Sequence, residues 1–456
     1  MGKWGQNNHL KTFAGATALL FLLNACSFSL RSISSLSSGA SKSTPNNSPS
    51  SSGLSYNPSG TPIVSDPFPT DLTVQISAGA QHTCALETDG TVWCWGDDTY
   101  GQLGDNSSGT KNSPVKVHGI GNSGYLQNIS SISAGANDTC AVTNTNLLYC
   151  WGSNGHGELG NSPITSPNVG YPVQVMDSTG LSPLMGVATV SVGNNHVCAK
   201  TMSGDLCWGL NDPSGELGTG NIADSTLPVS VLNSMGNASI GAFLIQAFFT
   251  TSCALDTSGK QLYCWGANSY GLGDGSNSAE LPNSIMMSNV VDFTGGQYHH
   301  CGLTYDGSIA GVECWGEGGL TGDGTMISRS TPVAVLTPDG SLPLTDLLIQ
   351  SPSHSLAAGQ SHTCAISGGS NVYCWGDNSS GQLGIDTLGA QSLPVTVLDP
   401  LSGNFGPVKD ISAGGNHTCA LKVTGNVYCW GDNSSGQLGS AASANATFSG
   451  LPVEVQ

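Results

Sequence analysis

Residues 76–104 read ISAGAQHTCALETDGTVWCWGDDTYGQLG, and residues 411–439 read ISAGGNHTCALKVTGNVYCWGDNSSGQLG. Between these two near-copies, further units begin at Ile132, Val190, Ile245, Phe293 and Leu356, which makes seven. The unit recurs about every 55 residues, too long for a leucine-rich repeat and longer than a WD-type blade. A strand-like segment follows each copy, Pro114-Val115-Lys116-Val117 after the first and Leu451-Pro452-Val453-Glu454-Val455 after the last.

Within the first copy, His82-Thr83-Cys84-Ala85-Leu86 and Val92-Trp93-Cys94-Trp95 flank a turn at Thr88-Asp89-Gly90. A short loop with a late glycine between two such runs signals a hairpin. Centring the turn near Asp89 sets Cys84 across from Cys94. Directly opposed residues have Cβ atoms about 4.5–5.5 Å apart, close to what a disulfide needs. The same arithmetic pairs Cys140 with Cys150, Cys364 with Cys374 and Cys419 with Cys429. Looser hairpins pair Cys198 with Cys207, Cys253 with Cys264 and Cys301 with Cys314. Fourteen of the 15 cysteines are then used, and Cys26 stands alone. Zinc ligation would need two such pairs converging on one ion, which a radial array of hairpins does not provide. Side chains alternate along a strand, so His82, Cys84, Leu86, Val92 and Cys94 share one face and Thr83, Ala85, Trp93 and Trp95 the other. A sheet with one bulky and one flat face stacks on copies of itself around an axis, and that is a propeller.

Composition agrees. Among 456 residues there are 63 glycines, and charged residues make up only 9%, which fits short strands with glycine turns better than helices. Hydrophobic residues reach 38%, enough to build cores. The formal net charge of −19, with 11 basic residues, repels phosphate and excludes general nucleic-acid binding. It also opposes peripheral attraction to anionic lipid.

The strings A-G-x-x-H-T-C-A-L, Y-C-W-G and G-Q-L-G, in this order, resemble the regulator of chromosome condensation repeat. The likeness runs from about Ile76 to Val455. It implies an all-β fold: a seven-bladed β-propeller of four-stranded antiparallel blades. The first unit has no Pro-Val-x-Val segment before it and the last ends on one, so the C-terminal strand is expected to close the ring beside the first blade. The family's founding activity, nucleotide exchange on a small GTPase, is not expected of an exported acidic chain, because fold does not carry function. Exported bacterial members carry such a Cys pair, and bacterial proteins of this architecture bind protein partners.

The N-terminus carries the export reading. Lys3 and Lys11 precede an apolar run from Phe13 to Leu23, about half of what spans a bilayer. The following Leu23-Asn24-Ala25-Cys26-Ser27 resembles a bacterial lipoprotein signal, in which the Cys is acylated and becomes the first mature residue. Residues 1–25 are thus expected as the signal peptide, Cys26 as the lipidation site and residues 26–70, rich in Ser, Pro and Gly, as a flexible tether. Residues 71–456 form the propeller. Ser27 is not acidic, and the resemblance then implies the bacterial cell envelope at the outer membrane.

Several constellations point to structure instead of chemistry. His82, His196, His299, His362 and His417 recur two residues before a repeat's first Cys, and their repetition tracks the fold. Asp-Asn clusters such as Asp377-Asn378 and Asp432-Asn433 read as turn residues. Asp274 and Asp323 lack the spacing of a calcium loop. Trp95, Trp375 and Trp430 read as core. No nucleophile elbow, phosphate loop or His-Glu-x-x-His string occurs. Copies three to five depart from the pattern: Phe248-Phe249-Thr250-Thr251 replaces A-G-x-x-H and the Gln of G-Q-L-G is missing in the fourth, while the fifth has a longer hairpin at Ser308–Val312 and carries Glu313. Drift and a grafted binding surface both account for this. The expectation is a monomeric, non-enzymatic module without cofactor or metal that binds a protein through loops on one face. A hydrolase or lyase with a site near the central channel, and a structural envelope component, are the alternatives.

Overall fold

The computed structural model describes Phe68 and residues 72–456, apart from 212, 259–260, 350–353, 370, 401–402, 404 and 444. The expected signal peptide, Cys26 and nearly all of the tether lie outside the described residues.

Seven four-stranded antiparallel sheets follow one another along the chain, each with its strands in sequence order. In blade 1 these are Thr73–Ala78, His82–Glu87, Val92–Gly96 and Lys111–Lys116, here called strands a to d from the channel outward. Blades 2 to 7 cover residues 129–174, 187–230, 242–284, 290–334, 356–396 and 408–454. The b–c hairpin register sets Cys84 opposite Cys94, and the other six pairs are likewise in register. All seven pairs are bonded, each with Cα atoms 4.1 Å apart. The a–b turns and c–d loops share one end of the barrel of blades, the upper face. The b–c turns and the d-to-a connections share the lower face.

Alternation of side chains builds the junctions. The Cys84–Cys94 face of blade 1 packs on Trp151 of blade 2, and the Cys419–Cys429 face of blade 7 packs on Trp95 of blade 1. All seven inward tryptophans, from Trp95 to Trp430, are at most 1% exposed. Their indole N–H groups need partners in so dry a place, and the preceding blade supplies a carbonyl: Trp151 and Trp430 donate to Gln102 O and Gln382 O, both at 2.9 Å.

Strand a has a free edge along the channel, whose backbone groups also need partners. The serine of S-A-G serves the next blade. Ser77 Oγ accepts from Ala134 N (2.8 Å), Ser133 from Val192 N (3.0 Å) and Ser191 from Ala247 N (3.0 Å). The adjacent glycine is required by crowding: a Cβ at Gly79, Gly193, Gly296, Gly359 or Gly414 would strike its own repeat's imidazole and a backbone carbonyl of the next blade.

The expected closure by the C-terminal strand is not what the structure has. Phe448–Glu454 pairs with Val427–Asp432 of its own blade, and blade 1 already holds its fourth strand, Lys111–Lys116. The Pro-Val-x-Val segment is strand d of the repeat it follows, so no vacancy exists beside blade 1. Blade 7 meets blade 1 through the regular junction set. Trp95 Nε1 donates to Gln437 O (2.9 Å), Ala78 N to Ser412 Oγ (2.9 Å), and His417 pairs with Thr83 Oγ1 (2.9 Å). One apolar plug is needed at each junction, and elsewhere the d-to-a connection provides it, as Leu126, Leu184, Leu344 and Phe405 do. At the 7/1 junction Phe68 takes this place, edge-on to Trp93 (5.8 Å) and Trp95 (5.9 Å). Phe405 meets Tyr428 and Trp430 in the same manner. Phe68 falls within residues 26–70, expected as tether, yet it is buried in the core.

Candidate binding site at the channel mouth

The five recurring histidines do not converge. Each pairs with a hydroxyl of the following blade: His82 with Thr139 (2.9 Å), His196 with Ser252 (2.9 Å), His299 with Thr363 (2.6 Å), His362 with Thr418 (2.8 Å) and His417 with Thr83. Thr139 and Thr418 already donate to Gln102 O and Gln382 O, so the imidazole donates through Nε2. Burial holds these rings neutral, with pKa values pushed down to about 3 for His82 and His362 and about 4 for His196, His299 and His417. They are interblade rivets. Blade 2 departs from the pattern: Asp138 stands at the histidine position, Val197 holds the hydroxyl position in blade 3, and both Asp138 carboxyl oxygens are buried without a partner. Burial, with Glu158 nearby, raises its pKa well above the usual carboxylate range.

Asp274 accepts from Ser276 N (2.8 Å) and Asn283 Nδ2 (3.0 Å), and Asp323 from Arg329 (2.7 Å), so both are turn residues. Among the described residues no group of three or more His, Cys, Asp or Glu could hold a metal ion. On the channel wall Asp410 accepts from His354 N (3.1 Å) and from Ile76 N (3.4 Å), bracing three neighbouring blades. Asp292 lies in the same layer, and burial pushes its pKa up to about 6.

The channel contains a cavity of ≈ 170 Å3, lined mostly by Ala, Gly and Ser of the strand-a ends. Blade 4 breaks this lining with Phe248 and Phe249. Phe248 occupies the crowded glycine position, and the imidazole that would clash with it is replaced by Thr251. The 4/5 junction is accordingly built from rings. Phe248 stands edge-on to Phe293 (6.3 Å) and His300 (5.5 Å), and His300 stacks on Trp315 (5.5 Å, 14°). Thr251 now pairs with His300 Nε2 at 2.7 Å, the rivet reversed. Losing the Gln of G-Q-L-G from blade 4 also removes a carbonyl, and the Trp315 N–H, alone among the seven inward tryptophans, has no partner.

A chain of backbone bonds circles the upper mouth. Ala80 N donates to Gly135 O (3.1 Å), Ala136 N to Gly193 O (3.0 Å), Asn194 N to Phe248 O (3.0 Å), Gln297 N to Gln360 O (3.0 Å), Gln360 N to Gly415 O (3.0 Å) and Gly415 N to Gly79 O (3.2 Å). Among the described residues no such bond joins blade 4 to blade 5. The gap is flanked by Phe249 and by Tyr298, the residue before His299. Phe248 and Phe249 were visible as departures from the repeat, but the place of Tyr298 beside them was not, because it belongs to a different copy.

Fold and lining together define a seven-bladed, disulfide-linked propeller with one aromatic sector at its mouth. Two family models, each described as the regulator of chromosome condensation (RCC1) repeat, match it. One covers residues 73–102, 129–158, 354–382 and 408–437, the other 89–142, 146–199 and 370–421. The chain therefore carries RCC1 repeats over these residues. The matched residues lie in blades 1–3, 6 and 7. Arabidopsis thaliana supplies two relatives. The ultraviolet-B receptor UVR8 is 28% identical over 385 residues, 82% of this chain and 80% of the receptor. The mitochondrial RCC1 domain-containing protein RUG3 is 27% identical, covering 80% of each. The crystal structure of yeast RCC1 (Prp20) bound to Kap60 superposes with a TM-score of 0.62 at 19% identity, covering 85% of each chain.

Proposed function

We propose that this chain is a protein-binding propeller whose partner docks on the upper face, at the junction of blades 4 and 5. The observation that carries the reading is the substitution of a glycine-lined, hydrogen-bonded mouth by Phe248 and Phe249 at one junction only. Aromatic side chains beside a cavity are what interface anchors are made of. The Kap60-bound yeast propeller supports the idea that this architecture presents a protein-binding surface. Binding is assigned, and not catalysis, because the buried His rivets spend their ring N–H on hydroxyls and Asp410 spends its oxygens on backbone amides.

The same reading places the protein at the bacterial envelope, anchored by acylated Cys26. The seven blade disulfides support an oxidising compartment. Labelled palmitate should enter the wild type and not Cys26→Ala, and equal labelling of both refutes the anchor. For docking, a photo-crosslinker is placed at position 249, or at position 423 on the lower face as control. A partner adduct is expected from 249 and not from 423. Adducts from 423 alone, or equally from both, overturn the assignment.

A further inference from the structure

Beside Phe249, the same junction builds a second feature. Tyr270, from the c–d loop of blade 4, and Tyr298, from the a–b turn of blade 5, stand nearly perpendicular, with centroids 5.6 Å apart and planes at 78°. Both are half-buried. The Glu317 carboxylate lies close to the Tyr270 hydroxyl, and Glu317 N donates to Tyr298 O at 2.8 Å. The second ring is clamped as well. Gln297 Nε2 donates to the Tyr298 hydroxyl (2.8 Å), and Gln360 Nε2 donates to Gln297 Oε1 (2.6 Å). Two π faces and one carboxylate thus meet at a fixed corner.

The sequence explains why that carboxylate is available. In blades 1, 6 and 7 the acid at this position is taken up by the Gln of its own G-Q-L-G. Asp97 accepts from Gln102 Nε2 (2.8 Å), Asp377 from Gln382 (2.8 Å) and Asp432 from Gln437 (2.6 Å). In blade 5 the Gln position is held by Leu320, whose carbonyl receives Trp375 Nε1 as the glutamine carbonyls do elsewhere. Leu320 offers no amide, so Glu317 turns to the tyrosine of the neighbouring blade. The blade's own cation, Arg329, is committed to Asp323.

We propose that Tyr270, Tyr298 and Glu317 form a receptor for one cationic side chain, an arginine or lysine of the docked polypeptide. This rests on the upper-face docking reading and gives the partner its chemistry. A cation over perpendicular tyrosine faces gains from both ring quadrupoles, and the carboxylate adds a charge-assisted hydrogen bond. An anion meets the Glu317 carboxylate and a chain of net charge −19. That charge also steers a basic segment toward the mouth.

The test titrates the full-length chain with short peptides that differ at one residue, arginine, lysine or citrulline, and with choline, each followed by NMR. The arginine and lysine peptides should bind at least tenfold more tightly than the citrulline peptide, and binding should weaken with salt. Glu317→Gln and Tyr298→Ala should each weaken arginine-peptide binding at least fivefold, with Tyr298→Phe retaining most of it. Melting curves and the Trp fluorescence of each variant establish that it is folded. Citrulline binding equal to arginine, or unchanged affinity in folded Glu317→Gln, overturns the proposal. Choline binding as tight as the arginine peptide also overturns it, since the site would then be for a small quaternary ammonium. If the crosslink from position 249 persists while these titrations fail, the corner is wrong and the docking site stands. If the crosslink fails and arginine still binds, the reverse holds.

Discussion

Replacing Phe68 with alanine tests how the two chain ends are joined. Phe68 is 8% exposed and lies in the 7/1 core cluster with Trp93, Trp95, Leu438 and Val455. Truncating a packed phenylalanine costs about 3–5 kcal/mol, lost edge-to-face contacts included. Unlike the plugs of the other junctions, Phe68 does not lie in a connection that joins two blades along the chain, so its site can collapse and the lower end, about 3 kcal/mol, applies. At about 2.1 cal/mol/K per residue, the unit from Asp66 to Gln456 melts with an entropy of roughly 0.8 kcal/mol/K. The expected fall in Tm is then about 4 °C. Calorimetry reads this value, and hydrogen exchange locates it. Protection should drop first in the strands Thr73–Ala78 and His417–Lys422, which face each other across the junction. Phe405→Ala, at the equivalent place between blades 6 and 7, should cost as much or slightly more. A change in Tm below 1 °C for Phe68→Ala, with exchange at the 7/1 junction unaltered, would refute the plug.

Three further outcomes follow from the junctions. Gly414→Ala sets a Cβ against Gly79 O and the His417 ring, and should destabilise by about 1–3 kcal/mol; a neutral result in urea unfolding refutes the crowding argument. Asp138→Asn should stabilise at pH 7.5 by about 1–3 kcal/mol, since it removes a buried, unpartnered carboxylate. Because the native pKa of Asp138 is raised, its destabilising effect is absent at low pH and grows as pH rises. The gain should therefore vanish near pH 4, and a pH-independent gain would mean the charge is not the cause. Deleting residues 448–456 strips strand d and Val455 from blade 7, and should cause aggregation through the exposed edge of Val427–Asp432 while leaving the Cys84–Cys94 hairpin intact in peptide maps. A soluble truncation melting like the full chain would contradict the topology.

Much of this protein was determined locally. The alternation in HTCAL and VWCW, with a turn of defined length between them, is enough to put the two cysteines opposite each other and the tryptophan on the other face. Seven copies of that hairpin then imply seven blades, because a sheet with one bulky and one flat face buries both only by stacking on its like. Even the departures in blade 4 were visible, Phe248 at a glycine position and a missing glutamine. What sequence could not assign is anything decided between repeats. Whether a Pro-Val-x-Val strand ends one blade or begins the next depends on which edge it pairs with, and alternation is the same for both. Phe68 sits in a segment whose composition reads as linker, and only the unfilled plug between blades 7 and 1 draws it into the core. Tyr270, Tyr298 and Glu317 come from two copies and meet only because adjacent blades bring their upper loops together; their contact is a property of the ring.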